Sequence, residues 1–152
     1  MANAMDVARH ILAKAHAKGI SLDPMKLQKM VYFAQGWSLG LGTLPLFDEK
    51  IEAWPYGPVV ESVYHGFKKY GSGNIPKEEG KLLNDLDPIS DNLIDQVLDI
   101  YGKYSGPVLS GMTHETGSPW GQTYITGFKS VPISDEIITS YFSHLKSANK
   151  IY

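Results

Sequence analysis

Residues 23–37, DPMKLQKMVYFAQGW, spell a helix with almost no side left for water. Asp23 stands at the N-cap, where its carboxylate accepts an unpaired backbone N–H. Pro24 takes the first helical position, where no N–H is needed. Leu27, Met30, Val31, Ala34, Trp37 and Ser38 recur at steps of three and four and make one face. Tyr32 and Phe33 make the opposite side apolar as well, and a helix that is hydrophobic all round belongs inside a protein. Lys26, Gln28, Lys29 and Gln35 leave a narrow polar strip. Gly36 and Gly40 weaken the second half or let another backbone come close, and Gly42 ends the helix. The rest of the chain reads as wrapping around this buried central element.

Upstream, residues 5–17 form a first helix, with Met5, Ala8, Leu12 and Ala15 on one face, Val7 and Ile11 beside them, and Gly19 as a left-handed cap. Downstream comes LPLFDEKIEAWPYGPVV, residues 44–60. Ile51 and Ala53 alternate with Glu52 and Trp54, a period of two. This is a short β-hairpin or an extended flap lying on the central helix. Pro55 ends it, since proline cannot donate to a ladder, and Tyr56-Gly57-Pro58 makes a sharp turn. Pro58 opens a third helix, with Val60, Val63, Tyr64 and Phe67 inward and Gly71 as its stop. Residues 71–88 are polar and read as the most mobile loop, with one short strand near residues 81–83. A fourth helix spans residues 90–103, carrying Leu93, Ile94, Val97, Leu98 and Tyr101. A fifth runs from Ser105-Gly106-Pro107 through His114, with Leu109 and Met112 buried. Residues 115–134 are irregular, anchored by Trp120. A last helix over residues 135–146, capped by Ser134, turns Ile137, Ile138, Tyr141, Phe142 and Leu145 inward. The expectation is one domain over residues 1–152, mainly α: about six helices around a buried central one, with a small β-hairpin, α+β at the margin.

The totals narrow the function. A chain of 152 residues suits one domain. It can bury roughly 70% of its unfolded surface without a metal or disulfide staple. There is no cysteine, which removes disulfides, thiolate nucleophiles and Cys-based zinc sites. The formal charge of -2 gives no electrostatic footprint for nucleic acid or an anionic membrane. Asp6, Arg9, His10 and Lys14 interrupt the N-terminal apolar run, so it is neither a signal peptide nor a membrane span. A cytoplasmic protein is expected.

Reaction chemistry is hard to find. His10 and His16, six residues apart, share no helix face and read as solvated. His65 sits between Tyr64 and Phe67 as a boundary residue. His114-Glu115 begins an H-E-x-x-H zinc motif, but Ser118 stands where the second histidine is needed. Gly117 to Gly121, GSPWG, only echoes a nucleophile elbow, and Gly71-Ser72-Gly73 lacks the lysine of a phosphate loop. Asp23 and Asp91 are explained as helix-start residues. Glu52 is either a partly buried acceptor beside Trp54 and Tyr56 or the solvated face of a strand, and the second is the simpler reading. Lys26 and Lys29, like Lys68, Lys69 and Lys129, read as ordinary surface lysines. Neither a metal nor a cofactor is expected, and the chain does not read as an enzyme. What remains is an aromatic content of 11%, with Trp37, Trp54, Tyr56, Tyr64 and Trp120 among the large side chains. Trp and Tyr on a rigid turn, such as residues 54–58, are what protein interfaces use as anchors.

Residues 22–37 (LDPMKLQKMVYFAQGW), 45–60 (PLFDEKIEAWPYGPVV), 63–71 (VYHGFKKYG), 109–114 (LSGMTH) and 118–120 (SPW) together resemble the Panacea antitoxin domain. This is the SocA-like family, also labelled phage-associated GepA-like. The resemblance runs through nearly the whole chain in order, and is most specific over residues 27–37 and 52–60. It implies a small, mainly helical bacterial or prophage antitoxin encoded beside a toxin gene and neutralising that toxin by direct binding. At least one kind in the family instead delivers its toxin to the ClpXP protease. Some members carry an added DNA-binding domain, for which this chain has no room beside its core, so nucleic-acid binding is not expected of it. The family offers no catalytic residues to carry over. Partner-binding candidates are Glu52, Trp54, Tyr56, Gly57, Pro58, His65 and Trp120. Leu27, Met30, Tyr32, Phe33 and Trp37 form the structural motif. A third possibility, a small-ligand or enzymatic site, requires Glu52, His65 and His114 to converge in one pocket.

Overall fold

The computed structural model describes residues 2–150. Its elements run α1 (Ala4–Ala17), α2 (Pro24–Gly40), β1 (Ile51–Trp54), β2 (Gly57–Val59), α3 (Glu61–Phe67), α4 (Pro88–Tyr101), α5 (Gly106–Thr113), α6 (Pro119–Thr123), β3 (Val131–Ile133) and α7 (Asp135–Ser147). The fold is mainly α with a three-stranded antiparallel sheet, ordered β2-β1-β3. Among the described residues no helix is long and apolar enough to cross a membrane.

Most helix starts follow one chemical rule. An Asn, Asp or Ser side chain accepts a backbone N–H of the first turn: Asn3 from Asp6, Asp23 from Lys26, Asp87 from Ser90, Ser105 from Val108, Ser118 from Gly121 and Ser134 from Ile137. In four of the six a proline occupies the first turn.

Helix α2 is the axis of the core, and every residue from Leu27 to Ser38 is buried. Helices α1, α3, α4, α5 and α7 all pack on it, and α2 with α7 is the most extensive pair. Phe142 of α7 sits edge-on to Tyr32, Phe33 and Trp37, with ring centroids 5.6, 6.3 and 5.1 Å away. Phe33 stacks on Tyr101 of α4 at 4.0 Å, and the Trp37 indole donates to the Tyr101 hydroxyl at 2.9 Å. Burial pushes the Tyr101 phenol up to about 12. Gly36 and Gly40 make this closeness possible. A Cβ on Gly36 would lie 2.3 Å from the Phe142 ring, and one on Gly40 would lie 2.9 Å from the Phe142 carbonyl carbon.

Several sequence expectations are corrected. Pro58 does not open a helix: it lies in β2 opposite Ala53, and α3 starts only at Glu61. Residues 115–134 are not wholly irregular, since they contain α6 and β3. Strand β3 carries Pro132 at its centre and pairs with β1 on one side, which an edge strand tolerates. Residues 81–83 form no strand. Instead the Lys81 amide donates to the Arg9 carbonyl, and the Leu83 amide donates to Nδ1 of His10. His10 is therefore not solvated. It is 3% exposed, with Nε2 2.7 Å from Asp91, and this bond, aided by Lys14, holds the Asp91 carboxyl below its usual range.

Replacing Met30 or Phe33 by Ala is expected to cost about 2–5 kcal/mol in urea unfolding, because each leaves a void in a filled core. Gly40→Ala should cost about 1–3 kcal/mol by forcing α7 away. Gly36→Ala should cost a similar amount, since its Cβ would lie 2.3 Å from a Phe142 ring that Tyr32, Phe33 and Trp37 hold in place.

Candidate partner-binding surface

The β1–β2 hairpin is fixed to α2 by two glutamines. The Gln28 amide donates to the Val60 carbonyl at 3.1 Å and accepts from the Val60 N–H at 3.0 Å. Gln35 donates to the Phe47 carbonyl at 2.9 Å and accepts from the Leu46 N–H at 2.8 Å. The two are seven residues apart, which places them two turns apart on one helix face. The segment between Leu46 and Val60 is thus held at both ends and projects the hairpin tip outward.

At the tip, Gly57 adopts φ +120°, a conformation that side chains resist. A Cβ there would also meet Lys29 and Thr113, at 3.0 and 3.1 Å. Gly57 and Pro58 are buried and shape the turn. Tyr56 is the reverse: the residue is 74% exposed while its carbonyl accepts from the Ser110 hydroxyl of α5 at 2.8 Å. The Trp54 indole donates to Glu52 at 2.9 Å and leans on the Tyr64 ring at 4.9 Å. Glu52 is therefore half-buried and bonded, not a bare solvated strand residue. The Trp120 indole donates to the Trp54 carbonyl at 2.6 Å, and its ring lies between His114 at 3.8 Å and Tyr124 at 4.6 Å. Two aromatic clusters, one from each half of the chain, meet across that bond.

His65 is exposed, with Nε2 3.4 Å from Glu61 and its ring edge-on to Tyr64. His114 turns Nδ1 to the Ser110 carbonyl and the Thr113 hydroxyl. No hydrogen bond joins any two of Glu52, His65 and His114. Among the described residues there is no group of three or more His, Cys, Asp or Glu side chains arranged to hold a metal ion.

The sequence reading missed Lys29. It is 2% exposed, not a surface lysine. Its ammonium donates to the Pro58 carbonyl at 3.5 Å, and burial pushes it down to about 8. Lys26, its supposed companion, donates instead to the Gly102 carbonyl at the end of α4, at 2.6 Å. The signal was available: a helix with no solvent face must bury its polar strip too.

Residues 27–121 match the family model described as "Antitoxin SocA-like, Panacea domain". The chain is 34% identical over 128 residues to a protein named Antitoxin SocA from Caulobacter vibrioides (strain NA1000 / CB15N), spanning 78% of this chain and 68% of that one. No solved structure matches it.

Burial of Lys29 sets a pH dependence. The unfolded chain holds this proton up to about pH 10.4, the folded one only to about 8, so stability rises with pH between those values. The rise should reach about 3 kcal/mol at most, and Lys29→Met should remove it and stabilise the protein at pH 7. Urea unfolding of both proteins between pH 7.5 and 10 measures it. Above pH 10 the raised Tyr101 phenol acts in the opposite sense in both.

Proposed function

The chain belongs to the SocA-like antitoxin family built on the Panacea domain, and on that premise we propose that it neutralises a cognate toxin protein by direct binding. The binding face is the hairpin turn with the rings around it: Glu52, Trp54, Tyr56, His65 and Trp120, on the frame set by Gly57 and Pro58. The toxin is met in the cytoplasm, and neither catalysis nor a cofactor is involved.

One observation carries this reading. Tyr56 stands 74% exposed on a turn whose backbone is tied down on both sides, by Ser110 and by the β1–β2 ladder. Exposed aromatic area normally brings a penalty in ordering when a partner arrives. Here the backbone is already ordered, which lowers that penalty for an anchor residue. Further apolar side chains, Tyr64, Val108, Ile125 and Phe128, are exposed on α3, α5 and the segment after α6. Glu52 and His114 are occupied in holding the turn and its aromatic neighbours together, which favours a scaffold over a reaction site.

Co-expression with the product of the neighbouring gene tests this. Growth should be rescued and the two proteins should co-purify; neither happening would dismiss the proposal. Toxin that disappears only in cells with active ClpXP, with no stable complex, would favour the delivery reading instead. Tyr56→Ala should leave the melting temperature unchanged and weaken toxin binding at least tenfold, about 1.4 kcal/mol.

A further inference from the structure

Beside the hairpin, bounded by α2, α3 and the β1–β2 turn, lies a cavity of about 200 Å³. Its walls include Met25, Trp54, Tyr56, Val63 and Tyr64, and Lys29 is the cation among them. Two of these walls, Tyr56 and Tyr64, are exposed, so the cavity gives onto solvent next to the proposed toxin-binding turn. It is smaller than ordinary small-molecule sites, which run from about 300 to 1,000 Å³. It suits one side chain.

The lysine is the unusual part. An ammonium has three donors, and the acceptor it meets, the Pro58 carbonyl, is at 3.5 Å, the far limit of a hydrogen bond. No carboxylate of the described residues lies within ion-pair reach of it, whereas Lys14 and Lys18 pair with Asp91, Asp95 and Asp99. The nearest hairpin carboxylate, Glu52, is turned to the Trp54 indole. The other titratable groups lining the cavity are the Tyr56 and Tyr64 phenols, and His114, on the α5 side, is held by Ser110 and Thr113. Holding a cation in an apolar wall with so little compensation is unfavourable, and a Met would fill the same space without that penalty.

Charge complementarity names the occupant. We infer that the cavity receives one Asp or Glu side chain of the toxin, its carboxylate pairing with Lys29 while Trp54, Tyr56 and Tyr64 enclose its stem. The inference rests on the toxin-binding reading and specifies its chemistry. The arriving carboxylate supplies the acceptors the ammonium lacks, and a water-poor pocket strengthens such a bond. The aromatic walls exclude solvent from the pair, as the rim of a binding hot spot does.

Calorimetric titration of the purified toxin into wild type and Lys29→Met, at pH 8.5 in two buffers of different ionisation enthalpy, tests it. Unbound Lys29 is largely unprotonated at that pH, so pairing should draw more than half a proton per complex into the wild type. Lys29→Met should bind at least about tenfold more weakly, take up no proton, and melt at a higher temperature than wild type. One Asp→Asn or Glu→Gln substitution in the toxin should reproduce the loss and add nothing to Lys29→Met. Equal affinity, or equal proton uptake, in the two proteins overturns the inference. So does a toxin in which only amidation of the C-terminal carboxyl has the effect. Should Lys29→Met not fold, the wild type decides alone: no uptake between pH 7.5 and 9 overturns the pairing. A wild type that forms no complex removes the sequestration reading and this one with it. A complex indifferent to Lys29 removes this one alone.

Discussion

Two glutamine side chains determine where everything outside the core can go. Helix α2 has no solvent face, so the segment crossing it, residues 46–60, runs partly through the interior. Buried backbone groups there need partners, and each one left unpaired costs about 1–3 kcal/mol. A glutamine amide offers one acceptor and two donors and can imitate the edge of a strand. Gln28 and Gln35 do this for Val60 and for Leu46 with Phe47. Their spacing fixes the entry and exit points of the segment, and the chain between has room only for an extended arm that turns back at Pro55-Tyr56. The hairpin is a consequence of the helix.

The proposed face is composite. Its turn comes from residues 54–58, but the two carbonyls that stabilise it accept from Ser110 and Trp120, more than fifty residues on. Strand β3 then covers the other edge of β1 and closes the sheet on that side. Such cross-chain ties hold the backbone of Tyr56 while its side chain stands exposed. They also account for part of the aromatic excess: Trp54 leans on Tyr64, Trp120 stacks on Tyr124, and His114 packs on the Trp120 ring.

Local chemistry was legible before the structure, and long-range pairing was not. The Asp or Ser caps marked α2, α5 and α7 closely, with a proline in the first turn of α2 and α5 and two acids in that of α7, and the all-round apolarity of residues 27–37 placed α2 at the centre. Pro58 misled because proline after a turn suits a helix start as well as a strand; it pairs with Ala53, and the next turn is held by the bonds between Val60 and Gln28, thirty-two residues apart. Strand β3 is three residues long and too short to show a period. His10 was misplaced because its partners, Asp91 and the Leu83 amide, lie beyond any helix-face argument. Lys29 was read by residue type, when its position on a fully enclosed helix was the better guide.

The close fit of Gly36 and Gly40 against Phe142 has a consequence in time. Helix α2 leaves the ribosome early, but the ring that covers Tyr32, Phe33 and Trp37 belongs to α7, which starts at Asp135. At about 5–20 residues per second, the interval is of the order of 5 to 20 s. Throughout it, the aromatic face of α2 lacks its lid and is open to chaperones and proteases. The growing polypeptide therefore cannot complete its core piecemeal, and a product cut short before Ser134 would expose the same surface permanently. The supply of this antitoxin is thus tied to the completion of synthesis through α7, a form of quality control written into the packing of two glycines and one phenylalanine.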